Sequence, residues 1–302
     1  MISNIKAFIK FSRPHTIAGT LLSISALYLM ALAFSDRNSL HITEFILTLL
    51  SCLGANIFIV GLNQITDIEI DKINKPWLPI ASGEFSKTTA WWIISIAVTG
   101  SLIIAIYIGY YLLITVILSL MLGTLYSLPP MRLKRYYFWA AFCIIAVRGL
   151  IVNLLLFQNF YFIMNGTSRI PGIVWVLTAT IFIYSIVIAW FKDIPDMEGD
   201  KKFSIRTLSL QLGAKNVFYS GNTFLGCTIL MLLVMQAVFI LPVDRYLFSA
   251  MHFLMLIILI TGIRITDINN RKSIRRFYLI VWILFFMEYI SFGLGCILYK
   301  NI

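Results

Sequence analysis

The stretch FILTLLSCLGANIFIVGLNQITDIEID, residues 45–71, decides the reading of the chain. From Phe45 to Ile65 it is apolar enough to cross a bilayer, for which about 20 residues suffice. Its last residues then place Asp67, Glu69 and Asp71 where the apolar run stops. Eight further apolar runs lie at about 17–34, 91–109, 111–128, 137–157, 172–191, 217–240, 246–263 and 277–298. The expected fold is therefore an all-α membrane protein of about nine transmembrane helices. Only Gly109, Tyr110 and Tyr111 separate two of the runs, which leaves a tight turn or one long kinked helix open.

Composition agrees with the runs. Of 302 residues, 60% are apolar and 12% charged, with a mean hydropathy of +0.91, against the roughly 25% charged of a soluble domain. No length is left for a separate soluble domain, so residues 1–302 are expected to form a single polytopic membrane domain. The net charge of +11 does not point to nucleic acid, because the Lys and Arg recur between apolar runs instead of gathering on one face. Cys52, Cys143, Cys227 and Cys296 each stand alone in apolar surroundings, which argues against a disulfide framework or a zinc site.

The cations read as topology signals. With the N-terminus inside, nineteen Lys and Arg fall in inner segments within 6–13, 72–87, 132–135, 192–215 and 264–276. Only Arg37, Arg169, Arg245 and Lys300 fall outside, and Arg148 lies within a span. That bias places the N-terminus and the inner loops on the cytoplasmic or stromal side. Ile2, Ile5 and Ile9 at helical spacing, opposite Lys6 and Lys10, predict a short interfacial helix. Ala31-Leu32-Ala33 imitates a cleavage site, but the run before it is long enough to span, so the first helix is expected to stay uncleaved. No Arg- and Ser-rich transit segment precedes it, so the chain is expected to be made in its own compartment or to have been trimmed.

Seven of the thirteen acids crowd into two windows: Asp67, Glu69 and Asp71, then Asp193, Asp196, Glu198 and Asp200. Carboxylates near membrane depth are costly and are functional candidates by default. Asn63, Asp67 and Asp71 at i, i+4 and i+8 predict one face of a helix continuing out of the second span, with Asn56 extending that stripe inward. Asp193, Asp196 and Asp200 at i, i+3 and i+7 predict the same at the exit of the sixth span. Glu69 and Glu198 point away from their stripes. Both windows lie on the inner side, so the stripes can face each other across one cavity mouth. Several close anions need a cation between them, and Mg²⁺, held by a few carboxylates and completed by phosphate oxygens, suits a diphosphate substrate. Lys75, Arg132, Lys134, Arg135 and Lys192 in the same loops can take charge from a departing diphosphate. Neither GxxxxGK[ST] nor GxGxxG occurs, so nucleotide hydrolysis and dinucleotide binding are not expected.

The run Asn63-Gln64-Ile65-Thr66-Asp67-Ile68-Glu69-Ile70-Asp71, with Lys72-Ile73-Asn74-Lys75-Pro76 and Leu78-Pro79-Ile80-Ala81-Ser82-Gly83 behind it, resembles the first signature, NxxxDxxxD, of the UbiA superfamily of intramembrane prenyltransferases. Lys192-Asp193-Ile194-Pro195-Asp196-Met197-Glu198-Gly199-Asp200 matches the second, DxxxD. Within the superfamily the likeness is closest to the homogentisate prenyltransferases, the phytyl-transferring group of vitamin E synthesis in particular. It runs through Arg13-Pro14-His15-Thr16 and Tyr126-Ser127-Leu128-Pro129-Pro130-Met131-Arg132-Leu133-Lys134-Arg135. Gln64, where many quinone- and chlorophyll-forming relatives carry Asp, favours the same group. The resemblance implies a UbiA-type bundle with its cavity open to the cytoplasmic side. It also implies Mg²⁺ ions between Asp67/Asp71 and Asp196/Asp200, with Asp193 beside them, holding a prenyl diphosphate. Lys134, Lys192, Arg132 and Lys75 would neutralise the leaving diphosphate, Asn63 would orient a metal or phosphate oxygen, and Tyr126 would face the prenyl cation. Homogentisate would capture that cation and lose CO₂, most simply with phytyl as the prenyl group, in tocopherol synthesis. Geranylgeranyl or solanesyl donors, and quinone precursors or chlorophyllide as acceptors, stay open.

Single residues divide less cleanly. Arg148, about halfway along the fifth span, fits either a grip on the acceptor carboxylate with Asn153 nearby, or a structural ion pair with Glu288 in the last span. Arg13 and His15 could meet an anionic substrate at the mouth or simply mark a helix end, while His41 and His252 read as isolated interfacial residues. A transporter would use nine helices too, but it needs polar groups along a whole route, whereas these acids lie on one side.

Overall fold

The computed structural model describes residues 2–36, 39–239 and 241–300; Arg37, one of the outer charges, and the side chain of Ile2 lie outside what is described. The described residues form helices joined by short turns, without a β-strand. In chain order they are α1 (Ile2–Phe11), α2 (Pro14–Phe34), α3 (Ile42–Thr66), α4 (Ile68–Asn74), α5 (Lys87–Ile108), α6 (Tyr110–Ser127), α7 (Tyr137–Ile145) and α8 (Val152–Asn165). Then follow α9 (Gly172–Asp193), α10 (Met197–Lys202), α11 (Leu208–Leu212), α12 (Ala214–Phe239), α13 (Arg245–Ile265) and α14 (Arg271–Lys300). A 3₁₀ turn at Leu133–Arg135 precedes α7, and a π-helical turn at Ala146–Ile151 joins α7 and α8 into one span, Tyr137–Asn165. Nine helices among the described residues are long and apolar enough to cross a membrane, as the apolar runs predict. The chain is a multi-pass helical membrane protein.

The boundary left open in the sequence is a break and not a kink. Gly109 has φ 130° and ψ −169°, a conformation in which a Cβ is strained, and it alone separates α5 from α6. The N-terminal segment is helical, with Ile5, Phe8 and Ile9 at the surface beside Lys6 and Lys10, and Phe11 is buried.

The chain forms two compact units. One comprises Met1–Leu21, Ile42–Cys143 and Asp196–Thr207; the other comprises Leu22–His41, Ile144–Pro195 and Leu208–Ile302. In the first, α3 packs against α5 and α6, and Phe11, Leu62, Ile65, Ile80, Ala90 and Ile94 form a core at its end. The α3–α5 contact is close because it is made of small residues, the means by which membrane helices approach without a hydrophobic driving force. A Cβ on Gly54 would come 2.6 Å from the Ala97 carbonyl oxygen. Beside it Ser51 Oγ donates to Ser101 O at 2.8 Å, and Ser101 Oγ donates back to Ser51 O at 2.7 Å.

In the second unit, α9 and α14 pack together and against α12 and α13 respectively, with the rings of Phe191 and Phe218 stacked in the core and that of Phe277 tilted against both. One of the two readings of Arg148 and the interfacial expectation for His252 are overturned here. Glu288 does not pair with Arg148: its carboxylate lies 3.3 Å from His252 Nε2, both side chains fully buried. Arg148 instead lies over the rings of Trp282 and Phe285, 4.6 and 5.7 Å from their centroids, two turns and one turn earlier on α14. His252 is accordingly a core residue and not an interfacial one, a pairing between α13 and α14 that spacing along one helix cannot reveal.

Candidate active site

Both acidic windows are built alike, and differently from the straight stripes that spacing predicts. The first helix stops at Thr66, whose hydroxyl turns back onto Asn63 O at 3.0 Å, a side-chain bond that competes with the helical backbone. Asp67 takes φ −115° and ψ 19° at the N-cap of α4. In the second window Pro195, which lacks the N–H a helix needs, follows the end of α9, and Asp196 stands at the N-cap of α10. In each window the fourth residue onward bonds back to the capping carbonyl, Asp71 N to Asp67 O at 2.7 Å and Asp200 N to Asp196 O at 3.1 Å. Neither capping carboxylate bonds its own helix, so each is left for partners elsewhere.

Those partners lie within the first unit. Asp67 Oδ1 accepts from Lys134 Nζ at 2.6 Å and Arg132 Nη2 at 3.0 Å, while Oδ2 accepts from Asn63 Nδ2 at 3.0 Å. Lys134 Nζ also donates to Thr66 Oγ1 at 3.1 Å, and Arg132 to the Thr66 carbonyl at 3.2 Å. Lys75 Nζ pairs with Asp196 Oδ2. Arg13 Nη2 donates to Asn63 Oδ1 at 3.2 Å. The expected set Asn63, Asp67, Asp71, Lys75, Arg132, Lys134, Asp196 and Arg13 is thereby gathered, and Tyr126 lies with its ring centroid 5.9 Å from Lys134 Nζ. Lys192 and Asp193 pair with each other at 3.1 Å at the end of α9, in the second unit, which also holds Arg148. Glu69 pairs with Lys72 at 2.7 Å at the surface, and Glu198 is exposed.

The backbone is strained where the cations are. Four non-glycine residues among those described have positive φ, and Arg13 (52°) and Arg132 (38°) are two of them. Residues hold such conformations where the surroundings over-determine them, commonly at functional sites. The loop that carries Arg132 and Lys134 is tied to the segment behind the second window, through Arg206 N to Arg135 O at 3.0 Å.

Charge is shifted accordingly. Burial pushes the Asp71 carboxyl up to about 6 against the pull of Lys75 and Arg13. Burial brings Lys134 down to about 8, with Asp67 opposing. For Lys75, burial lowers, but the carboxylates of Asp196 and Asp71 outweigh it and hold the ammonium above the ordinary lysine value.

Sequence reasoning missed Asn74, Gly199 and Thr66. Asn74, 1% exposed, accepts from Gly199 N at 3.1 Å and donates to Asp200 Oδ1 at 3.4 Å, so it ties one window to the other. A Cβ on Gly199 would come 2.6 Å from both amide heteroatoms of Asn74. The only signal was that Asn74 and Gly199 stand inside the two motifs. Gln64, singled out as a mark of subfamily, is buried and donates to Phe11 O at 2.7 Å, which fastens α1 over the α3 end.

Among the described residues, no three His, Cys, Asp or Glu side chains are gathered closely enough to hold a metal ion. The oxygens nevertheless suit one. Asp71 Oδ2 and Asp196 Oδ1 are buried and accept no hydrogen bond, as lone pairs meant for a hard divalent cation would. Four carboxylates face four basic groups here, so a diphosphate, bringing roughly three negative charges, needs added cations to enter.

Among the described residues, nine helices long and apolar enough to cross a membrane, with aspartates and basic side chains gathered at helix ends, define a polytopic helical membrane protein. The chain belongs to the UbiA prenyltransferase family, whose model matches residues 23–288, and it is a prenyltransferase. It is 41% identical to a homogentisate phytyltransferase of Synechocystis, over 97% of this chain and 96% of that one. It is 34% identical to a homogentisate geranylgeranyltransferase of Triticum aestivum, over 94% of this chain and 71% of that one. A UbiA homolog from Archaeoglobus fulgidus, solved bound to GPP and Mg²⁺, shares the fold with a TM-score of 0.62 at 17% identity, covering 96% of this chain and 99% of that one.

Proposed function

We propose that this chain transfers a prenyl group, phytyl in the first instance, from its diphosphate to homogentisate, in the reaction that supplies tocopherol synthesis. The allylic C–O bond to the diphosphate breaks, and a C–C bond forms at a ring carbon that gives up its proton. The bond between the methylene and the carboxylate of the acetate side chain breaks, the carboxylate leaves as CO₂, and the methylene takes up a proton and stays on the ring as a methyl. The observation that carries the reading is the pair of orphaned, buried carboxylate oxygens on Asp71 and Asp196, set among four basic side chains in a chain whose relatives include homogentisate phytyl- and geranylgeranyltransferases.

Asp67, Asp71, Asp196 and Asp200 would hold Mg²⁺, which when bound would supply positive charge to offset what develops on the diphosphate. Lys134 and Arg132 exchange Asp67 for diphosphate oxygens, and Lys75 exchanges Asp196 for the same purpose. Arg13, reaching the site through Asn63, fixes that amide so that it can orient an oxygen of the head group. The face of Tyr126 is turned to a cation already and serves the prenyl cation in the same way. Lys192 and Asp193 complete the proposed set. The whole chain acts as one domain, with its N-terminus and inner loops on the cytoplasmic or stromal side of a cyanobacterial or plastid membrane. The strong inner bias of Lys and Arg supports that orientation.

Membranes from a heterologous host expressing the chain, given Mg²⁺, homogentisate and, separately, phytyl, geranylgeranyl or solanesyl diphosphate, test the reading. Prenylated product that disappears with EDTA is expected, highest with phytyl. Prenylation of 4-hydroxybenzoate or chlorophyllide but not homogentisate would overturn the acceptor.

A further inference from the structure

We infer that Arg148 recognises the carboxylate of the aromatic acceptor. The inference deepens the proposed transfer to a carboxylated ring and rests on it. Arg148 lies eleven residues into the span that starts at Tyr137, about 16 Å along the helix at 1.5 Å per residue. A charge at that depth is costly and ordinarily has an anionic partner or faces a functional site. Among the described residues its guanidinium has neither an ion pair nor a side-chain hydrogen bond. The acid within the same unit that could have served, Glu288, is taken up by His252.

The charge is carried on rings instead. Trp282 and Phe285 lie under the guanidinium at 4.6 and 5.7 Å, and a cation over desolvated aromatic faces recovers part of what burial costs. Stacking occupies the face of the guanidinium and leaves its N–H edge, whose fork matches a carboxylate in two parallel hydrogen bonds. Arg148 is half-buried and not fully enclosed.

The platform beneath is rigid by other means. Arg148 belongs to the π-helical turn Ala146–Ile151, a feature that recurs at functional sites. The wide turn is held by Asn153, whose Nδ2 donates to Gly149 O at 3.1 Å and to Arg148 O at 3.4 Å, and whose Oδ1 accepts from Tyr289 at 2.7 Å. On the other side Gly149 lets α9 approach, since a Cβ there would lie 3.1 Å from Phe182 Cα. Asn153 is thus spent on the backbone and positions Arg148 instead of touching a ligand. The Arg148 side chain bears none of this fastening, which is the arrangement expected of a residue kept for a ligand.

Two probes isolate the charge: homogentisate, and methylhydroquinone, which has the same ring with a methyl in place of the acetate. Binding to the full-length protein without donor is compared for the parent chain, Arg148→Met and Arg148→Lys, with the donor KM as a check on the fold. The parent is expected to prefer homogentisate. Arg148→Met should lose roughly 30-fold or more of its homogentisate affinity, as when one member of a buried charge pair is removed. Its methylhydroquinone affinity and donor KM should stay within about twofold, and Arg148→Lys should recover part of the loss. Equal losses for both probes would make Arg148 a packing residue and overturn the inference, as would unchanged homogentisate binding or a parent that does not discriminate. Absence of turnover with any acceptor would instead refute the proposed reaction, and the binding comparison reads separately from it.

Discussion

Asn74→Ala is the sharpest test of how the two aspartate windows are assembled, because the residue is 1% exposed and chemically inert. Truncation removes its bond from Gly199 N at 3.1 Å and its bond to Asp200 Oδ1 at 3.4 Å. Orphaning a buried N–H costs about 1–3 kcal/mol, and a hydrogen bond to a charged acceptor is worth about 1.5–3 kcal/mol, the longer one falling at the low end. The total is about 3 kcal/mol. If half to all of it is felt as misplacement of Asp196 and Asp200 when donor binds, kcat/KM for the prenyl diphosphate falls about 10- to 100-fold. The Mg²⁺ concentration for half-maximal rate should rise with it, while KM for the aromatic acceptor stays put. The assay is product formation over a Mg²⁺ titration in membranes. Gly199→Ala should give the same phenotype from the other side, because its methyl would press on the Asn74 amide at 2.6 Å. An Asn74→Ala protein with unchanged Mg²⁺ dependence and donor kcat/KM would refute the idea that this amide sets the distance between the windows.

Asp67→Asn should lower turnover by at least about 10³-fold, measured as product from homogentisate, since Lys134 and Arg132 lose a charged partner and the site loses a ligand. Activity should follow a bell in pH. Asp71, raised to about 6, must be deprotonated to take a cation, so half-saturating Mg²⁺ rises about tenfold per pH unit below 6. Lys134, lowered to about 8, is charged only below that value, so donor KM rises above it. Asp71→Asn should abolish the acid limb, and an acid limb that survives would assign it elsewhere. Gly54→Ala, with its Cβ 2.6 Å from Ala97 O, should cost about 1–3 kcal/mol of stability, read as a lowered Tm in detergent with donor KM unchanged.

The primary sequence determined the bundle. Long apolar runs can cross a bilayer only as helices, because each backbone N–H and C=O must be satisfied within the segment, and all nine runs are helices in the structure. The residue types of the candidate site were also legible, since carboxylates and cations concentrated at the ends of apolar runs are too costly to be incidental. What spacing misjudged was local: Thr66 and Pro195 break both helices, so each DxxxD is a cap followed by a short helix and not a continuing stripe. Pairings between distant segments were beyond a linear reading altogether. Asn74 with Gly199, Lys134 with Asp67, His252 with Glu288 and Arg148 with Trp282 each depend on which helix faces which. Periodicity gives the face of a helix that is apolar, but close packing among several helices, fixed by residues as small as Gly54 and Gly149, decides what that face meets.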